Sequence, residues 1–484
     1  MSRFQLRKFS LSRVCFGVAV VLIGTFVVGA NAGDENTAVS ARSKTDEVVR
    51  SAPSPRRGRQ RFPDFKLENK PPESQHPDPQ HLFRLSQDFP TEVPNVSDDP
   101  EVERILAIPY DENDGGKKNW LKYLIAVRDY CLEGNVDRKD TPAAEINYDD
   151  DWQQEFTFER WFHVPWQHWG DKGREGIHGL TREASARAGQ LGRTHVNIHE
   201  THAVAVYNRI GGYTIGKVWE NQFEPNLQAA RFKPGAIVVK VLFTQAGEDE
   251  VPYLHDGLVW KAYIRDPKDS TKRKVQKLRL LQMDVMVRDP RADKTGGWVF
   301  GTYCYNGSVK STNKWYRLVP VGIQWGNDPE FNDWQANQNH TSPFAIKRGA
   351  QSHLSETIIN DAKELPPQHL GWGGRLNGPA DYFRSSCMSC HATAQYPGHS
   401  PQHPDFESLG HEPGGEAWMR WFRNLNCGES FDSRRSGKKQ AVSMDFSLQL
   451  QIGIENFYQW KSTAMGGYFT FRDETHPVAS EPTK

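Results

Sequence analysis

The sequence predicts an α+β fold in which an antiparallel, β-rich domain is followed by a mainly helical one. Three observations predict it. Five apolar runs rich in β-branched residues, separated by turns, lie between residues 194 and 345. Apolar residues recur at helical spacing from Trp120 to Cys131 and again from Ala417. The third observation is Cys387-Met388-Ser389-Cys390-His391, the spacing for covalent attachment of a c-type haem. One helical turn presents both sulfurs to the two vinyl groups, and the next residue turns its imidazole onto the iron. The second domain is therefore read as a c-type haem domain with one covalent haem c. The competing reading of the two thiols is a redox dithiol. The immediate histidine, the aromatic pair Tyr382 and Phe383 just upstream, and an export signal oppose it.

At 484 residues the chain is long enough for two ordered units. Lys+Arg and Asp+Glu both number 60, so no basic excess exists to neutralise phosphates, and nucleic acid is excluded as a partner. The six cysteines divide into Cys15 in the leader, Cys387 and Cys390 in the haem motif, and Cys131, Cys304 and Cys427. Those last three form one disulfide plus a free thiol, or remain three free thiols.

Residues 1–32 read as a signal peptide. Arg3, Arg7, Lys8 and Arg13 precede an apolar run from Val14 to Val28, and Ala30-Asn31-Ala32 supplies the small residues of a cleavage site. The chain is then periplasmic or secreted, with no stable membrane span after cleavage; the alternative is anchoring by an uncleaved signal. Residues 33–100 are polar and Pro-rich, a linker or arm in which His76 and His81 are solvated. A β-rich domain with an N-terminal helix spans 101–345, the haem domain 346–475, and a tail 476–484.

Within the β-rich domain, Trp120 to Cys131 is a core helix after an Asp111–Gly116 loop. The aromatic stretch from Trp152 to Trp169 reads as core plus surface loop rather than as a ligand pocket. His195 to Tyr207 alternates as a strand, which separates His202 from His195 and His199. On a helix all three would share a face, as a zinc triad requires, and the Val and Ile content favours the strand. Further strands are 236–243, 278–287, 298–305 and 318–325, with Gly211 to Trp219 a short helix or hairpin. Asp381 is the expected N-cap of the helix carrying the cysteines. Ala417 to Leu425 is helical, and Phe446 to Trp460 is read as a C-terminal helix that Gly453 weakens.

Lys240 stands inside the apolar run Ile237 to Phe243 and shares its strand face with Val238 and Leu242. A charged amine there is costly unless it snorkels, pairs with an acid or is modified, and snorkelling at a sheet edge is the ordinary explanation.

Residues 380–465 resemble a class I cytochrome c domain on the strength of Cys387-Met388-Ser389-Cys390-His391. That resemblance implies a methionine as sixth iron ligand, for which Met444 is first choice. Behind it come Met419, then Met465, His399, His403 and His411; the proline usual beside the methionine is missing. Residues 195–395 resemble the cytochrome P-460 and cytochrome c-prime-beta group, through Gly235-Ala236-Ile237-Val238-Val239-Lys240 and Gly296-Gly297-Trp298-Val299-Phe300 ahead of the haem motif. This second resemblance implies a haem against an antiparallel sheet. It also implies a lysine at Lys240 bonded to the haem in hydroxylamine-oxidising members, or a nitric-oxide site in others. Insertions at 266–277 and 306–314, and the long connection 326–380, depart from that group.

The function expected is an exported single-haem cytochrome that binds haem through Cys387, Cys390 and His391 and transfers electrons. Its partner would be a redox protein or small electron donor. The alternative is a P-460-like haem oxidoreductase or nitric-oxide-binding protein. A third reading gives the β-rich domain a carbohydrate or protein ligand.

Overall fold

β-Branched residues favour an extended chain because they crowd a helix and pack well on a pleated surface. The Val- and Ile-rich runs accordingly build a nine-stranded antiparallel sheet. The computed structural model describes residues 62, 71–75, 82–111, 118–135, 147–150, 160–167, 173–332, 356–362, 365–366, 370–433 and 440–463. The expected signal peptide, the Pro-rich arm up to 61 with His76 and His81, residues 112–117, Trp152, Phe156, Phe158, His168, Trp169, Met465 and the tail lie outside the described residues. Those described all fall within one compact unit, Pro55–Lys484, so the two stretches divided at residue 345 belong to the same body.

The chain is α+β. In order it runs α1 (Pro100–Ala107), α2 (Asn119–Leu132), β1 (Trp161–Phe162), β2 (Thr181–Arg182), β3 (Thr201–Asn208), α3 (Arg209–Val218), β4 (Ile237–Thr244), β5 (Val259–Asp266), β6 (Asp269–Arg288), β7 (Trp298–Tyr305), β8 (Leu318–Gln324) and β9 (Thr357–Ile359). There follow α4 (Cys387–His391), β10 (Gln395–Tyr396), α5 (Phe406–Leu409), α6 (Glu416–Met419), β11 (Val442–Ser443) and α7 (Leu448–Thr463). The sheet order is β1-β3-β4-β6-β7-β8-β9, with β2 on β3 and β5 on β6.

Three local expectations are corrected. The strand expected from residue 278 starts already at Asp269, because β5 and the first half of β6 form a hairpin that pairs from Val259↔Arg279 to Arg265↔Arg273. Trp260, Ala262 and Ile264 alternate inward, while Lys261 points to solvent, and this charged outer face masks the strand in the sequence. The expected strand from His195 begins only at Thr201, because Glu250 takes the N–H groups of Val196 and Asn197 at 3.1 Å each. Asp381 is not the N-cap of α4. Ser386 is, since its hydroxyl accepts from the Ser389 N–H (3.1 Å) while Ser389 Oγ accepts from the Ser386 N–H (2.8 Å).

The described aromatics of the Trp-rich stretch are core: Trp161, Phe162, His163 and Trp166 are all buried. Cys131, Cys304 and Cys427 are free thiols. Gly453 sits in the middle of α7 because a Cβ there would come within 2.4 Å of the Pro165 carbonyl oxygen. Among the described residues no helix is long and apolar enough to cross a membrane.

Alternation along the strands gives the sheet two different faces. One carries Val239, Val285 and Gly301 in register and is covered by α2. The other carries two cross-strand rows, Val238–Met286–Phe300–Gln324 and Lys240–Asp284–Thr302–Gly322, and receives α4. A glycine at 301 is what lets α2 approach. A Cβ there would stand 2.4 Å from Leu124 Cδ2 and 3.0 Å from Val285 Cγ2. Overpacking of this kind costs about 1–3 kcal/mol. Gly301→Ala should lower unfolding free energy by about that amount in denaturant titrations, and Leu124→Ala in the same chain should restore part of the loss. Additive losses in the double variant would place the strain elsewhere.

Candidate functional site

The Ser386–Ser389 capping box starts α4, and the five-residue helix then sorts its side chains by position. Met388 and Ser389 are buried, while Cys387, Cys390 and His391 are half-buried. The helix is docked on the second sheet face. Gln324 Oε1 of β8 accepts from the Met388 N–H (3.2 Å), Thr302 Oγ1 of β7 lies 3.6 Å from Cys387 Sγ, and the His391 ring lies against Phe300 with centroids 5.4 Å apart.

His391 is oriented from behind. Its Nδ1 donates to the Phe446 carbonyl oxygen at 2.8 Å. That carbonyl belongs to a turn in which Asp445 and Phe446 both have positive φ, 49° and 64°, a conformation that non-glycine residues hold only when their surroundings enforce it. Here the enforcement is visible. The Asp445 carboxylate accepts from the Phe232 N–H (2.8 Å) and Trp298 Nε1 (3.4 Å), and Gly296, itself at φ 111°, leaves room for the Phe446 ring. With the proton on Nδ1, Nε2 keeps its lone pair for a metal. Burial, reinforced by Lys240, pushes the imidazole down to about 4 against the pull of the Phe446 bond, so the ring is neutral at pH 7.

Both thiols stand free and are held protonated. Burial, then the nearby carboxylates of Asp284 and Asp381, push Cys387 well up. Burial and then Asp381 push Cys390 up to about 12, against Lys240.

Near these side chains stand Lys240, Glu183, Asp284 and Asp381. Lys240 stands on β4, an interior strand, rather than at a sheet edge, and it pairs with an acid: Nζ donates to Glu183 Oε2 at 3.0 Å. Burial alone would lower the ammonium, but Glu183, then Asp381 and Asp284, outweigh it and hold the charge. Asp284 faces Lys240 across the strands, and its Oδ1 accepts from Thr302 Oγ1 (2.9 Å). Gln282 Nε2 bridges the carboxylates, donating to Asp284 Oδ2 (2.7 Å) and Asp381 Oδ2 (2.9 Å). Burial, then the charge of Asp381, raise Asp284 to about 7 against Lys240.

The structure thus brings Cys387, Cys390, His391 and Lys240 into one neighbourhood. Met444 stands on the segment that supports His391. It is fully buried, its N–H donates to the Ala394 carbonyl (2.9 Å), and it lies two residues before the carbonyl that holds Nδ1 of His391. His403 lies tilted against Tyr382 with centroids 4.2 Å apart, His411 lies against Trp421 at 5.2 Å, and Met419 and His399 are half-buried. Sequence reasoning missed Asp284, Glu183, Gln282 and the Phe446 carbonyl. Asp284 carried a usable signal, an acid inside the apolar run Leu278 to Val287, complementary to Lys240. No family model matches the chain, and neither a curated protein nor a solved structure does.

Between about pH 4, where an unfolded aspartate titrates, and about pH 7, the folded chain keeps a proton on Asp284 that the unfolded chain has released. Stability therefore falls as pH rises through that window. Asp284→Asn removes this contribution, so unfolding free energy should drop less for the variant than for the wild type between about pH 5 and about pH 8. Parallel pH profiles would show that Asp284 titrates normally.

Proposed function

We propose that the chain attaches one haem c through Cys387 and Cys390, ligates it with His391, and performs redox chemistry as an exported cytochrome. The observation that carries this reading is the Nδ1 bond to the Phe446 carbonyl, which leaves Nε2 of a neutral imidazole without a protein partner among the described residues. Histidines that bind metals are oriented in this way.

The residues fit the group. Two free, half-buried cysteines three positions apart precede the imidazole on one short helix docked on the sheet face. The redox-dithiol reading requires a thiol of depressed pKa. Burial and neighbouring carboxylates move both thiols the other way, which supports attachment over exchange. When bound, haem c supplies an iron couple whose potential follows its axial ligand and burial. The chain's residues do the rest: Phe446 fixes the imidazole and raises its basicity, and Phe300 supports the ring.

Two uses of such a centre divide on Met444 and Lys240. A simple electron carrier would add a methionine as a further iron ligand. Met444 is instead fully buried in the segment whose Phe446 carbonyl orients His391. Lys240, Asp284 and Asp381 act electrostatically at Cys390, Cys387 and His391. The second use is therefore favoured: a haem oxidoreductase or nitric-oxide-binding protein like the P-460 group, taking a small nitrogenous ligand such as hydroxylamine. Lys240 would offer an ammonium to that ligand, and Asp284 would hold or release a proton near neutral pH.

Protein matured with a cytochrome c system should keep its haem through acid–acetone extraction, and Cys387→Ala with Cys390→Ala should lose it. Free extraction from the wild type would overturn the attachment. The ferrous wild type should take up nitric oxide, and Lys240→Ala should shift the visible spectrum, whereas Met444→Ala should leave the axial-ligand bands in place. A lost methionine band in Met444→Ala, with no nitric-oxide uptake, would return the protein to the electron carriers.

A further inference from the structure

A second cluster of ligand atoms lies outside the cysteine–histidine segment, on the loop that sequence periodicity had assigned to a strand. His195, His199 and Glu250 each offer one ligand atom, and these atoms lie within 4.8 Å of one another. His195 is fully buried; His199 and Glu250 are partly open, with 19% and 15% of their side chains exposed.

Several neighbours hold the cluster in place. The Leu191 N–H approaches His195 Nδ1 at 3.4 Å, and Nε2 is buried with no hydrogen-bond partner. Nε2 is therefore the ring nitrogen left for a ligand. The two histidine rings stack with centroids 5.3 Å apart and an interplanar angle of 28°. Glu250 is fixed from the opposite side, by the N–H groups of Val196 and Asn197 on Oε2 (3.1 Å each) and by Asn197 Nδ2 on Oε1 (2.7 Å). Its backbone carbonyl is held as well, by Thr194 Oγ1 at 2.7 Å. The contact of His199 Nε2 with Glu250 Oε1, 3.1 Å, is accounted for as a hydrogen bond. The buried, unpartnered Nε2 of His195 is not, because burying such a group without a partner is costly.

We propose that His195, His199 and Glu250 form a binding site for a divalent cation of the zinc class. Two imidazoles and one carboxylate suit zinc, nickel or copper rather than magnesium or calcium, which prefer oxygen ligands throughout. Tetrahedral bonds of about 2.0–2.2 Å separate ligand atoms by roughly 3.3–3.5 Å, so the cluster needs only a small contraction to close on an ion. Three protein ligands leave a fourth position for water or a ligand group, and the exposed edges of His199 and Glu250 mark the side on which it opens. The site stands apart from the haem motif but shares a support with it. The loop whose Leu191 N–H approaches His195 also sends Gln190 Nε2 to the Asp381 carbonyl (3.3 Å).

The test uses untagged, full-length, haem-loaded protein treated with a chelator and dialysed against limiting Zn2+. One zinc per chain should be retained, counted by elemental analysis separately from iron, and zinc X-ray absorption should report two imidazoles and oxygen, without sulfur. His195→Ala and Glu250→Gln should each weaken binding at least tenfold while the visible spectrum of the haem stays unchanged. No retained zinc, a sulfur-containing shell, or equal affinity in both variants would overturn the site. Should His195→Ala fold poorly, Glu250→Gln and the absorption spectrum of the wild type decide alone. Because zinc and iron are counted separately, absence of haem would strike the proposed function and leave this site standing.

Discussion

The bond from His391 Nδ1 to the Phe446 carbonyl is the constraint on which the site depends. It selects the tautomer, fixes the ring plane and leaves Nε2 facing away from the protein's support. It is reached only because the chain turns through two successive positive-φ residues, and that turn exists because Asp445 is tied to Phe232 and Trp298. Tyr207 and Ser447 add a hydrogen bond at 2.6 Å just after the turn. The C-terminal segment is thereby locked to β3, β7 and the loop before β4, and α7 follows from it. A short helix of five residues could not hold an imidazole by itself; the sheet and the turn hold it together.

The second constraint is electrostatic. Placing Lys240 and Asp284 opposite one another on interior strands puts two ionisable groups on a face that is otherwise mostly apolar. Such groups persist when they are paired and hydrogen-bonded. Glu183 supplies the pair for Lys240, and Gln282 ties Asp284 to Asp381, with Gly378 allowing the close approach because a Cβ there would come within 2.0 Å of Gln282 Nε2. The cluster leaves one carboxyl whose proton moves near neutrality and one ammonium that does not lose its charge. A site with that composition suits handling of a small polar ligand better than it suits a sealed electron conduit.

Much of this was legible in the sequence, for reasons that can be stated residue by residue. That Cys387, Cys390 and His391 share one short helix was legible from their spacing, and β4, β7 and β8 were legible because uninterrupted Val and Ile runs have few other homes. Lys240 stood out as a charge among apolar neighbours, though its partner Glu183, 57 positions away, carried no signal. The β5–β6 hairpin was hidden by its own solvent face, where lysines and arginines erase the apolar run while preserving alternation. Residues 195–200 read as strand because Val196 and Ile198 alternate with histidines, yet Glu250, more than fifty positions on, takes the backbone donors a strand would need. The Phe446 carbonyl is invisible to any reading of side chains. Local pattern found what local forces decide, and long-range partners decided the rest.

The central claim is that the cysteine–histidine segment is a haem attachment built onto the sheet. Mass spectrometry of peptides from the matured protein tests it most directly. The account predicts that the peptide containing Cys387 to His391 carries one haem, bonded at both cysteines, and that no unmodified form of it dominates. A peptide with Cys387 and Cys390 as free thiols, or as a disulfide with each other, would contradict the account.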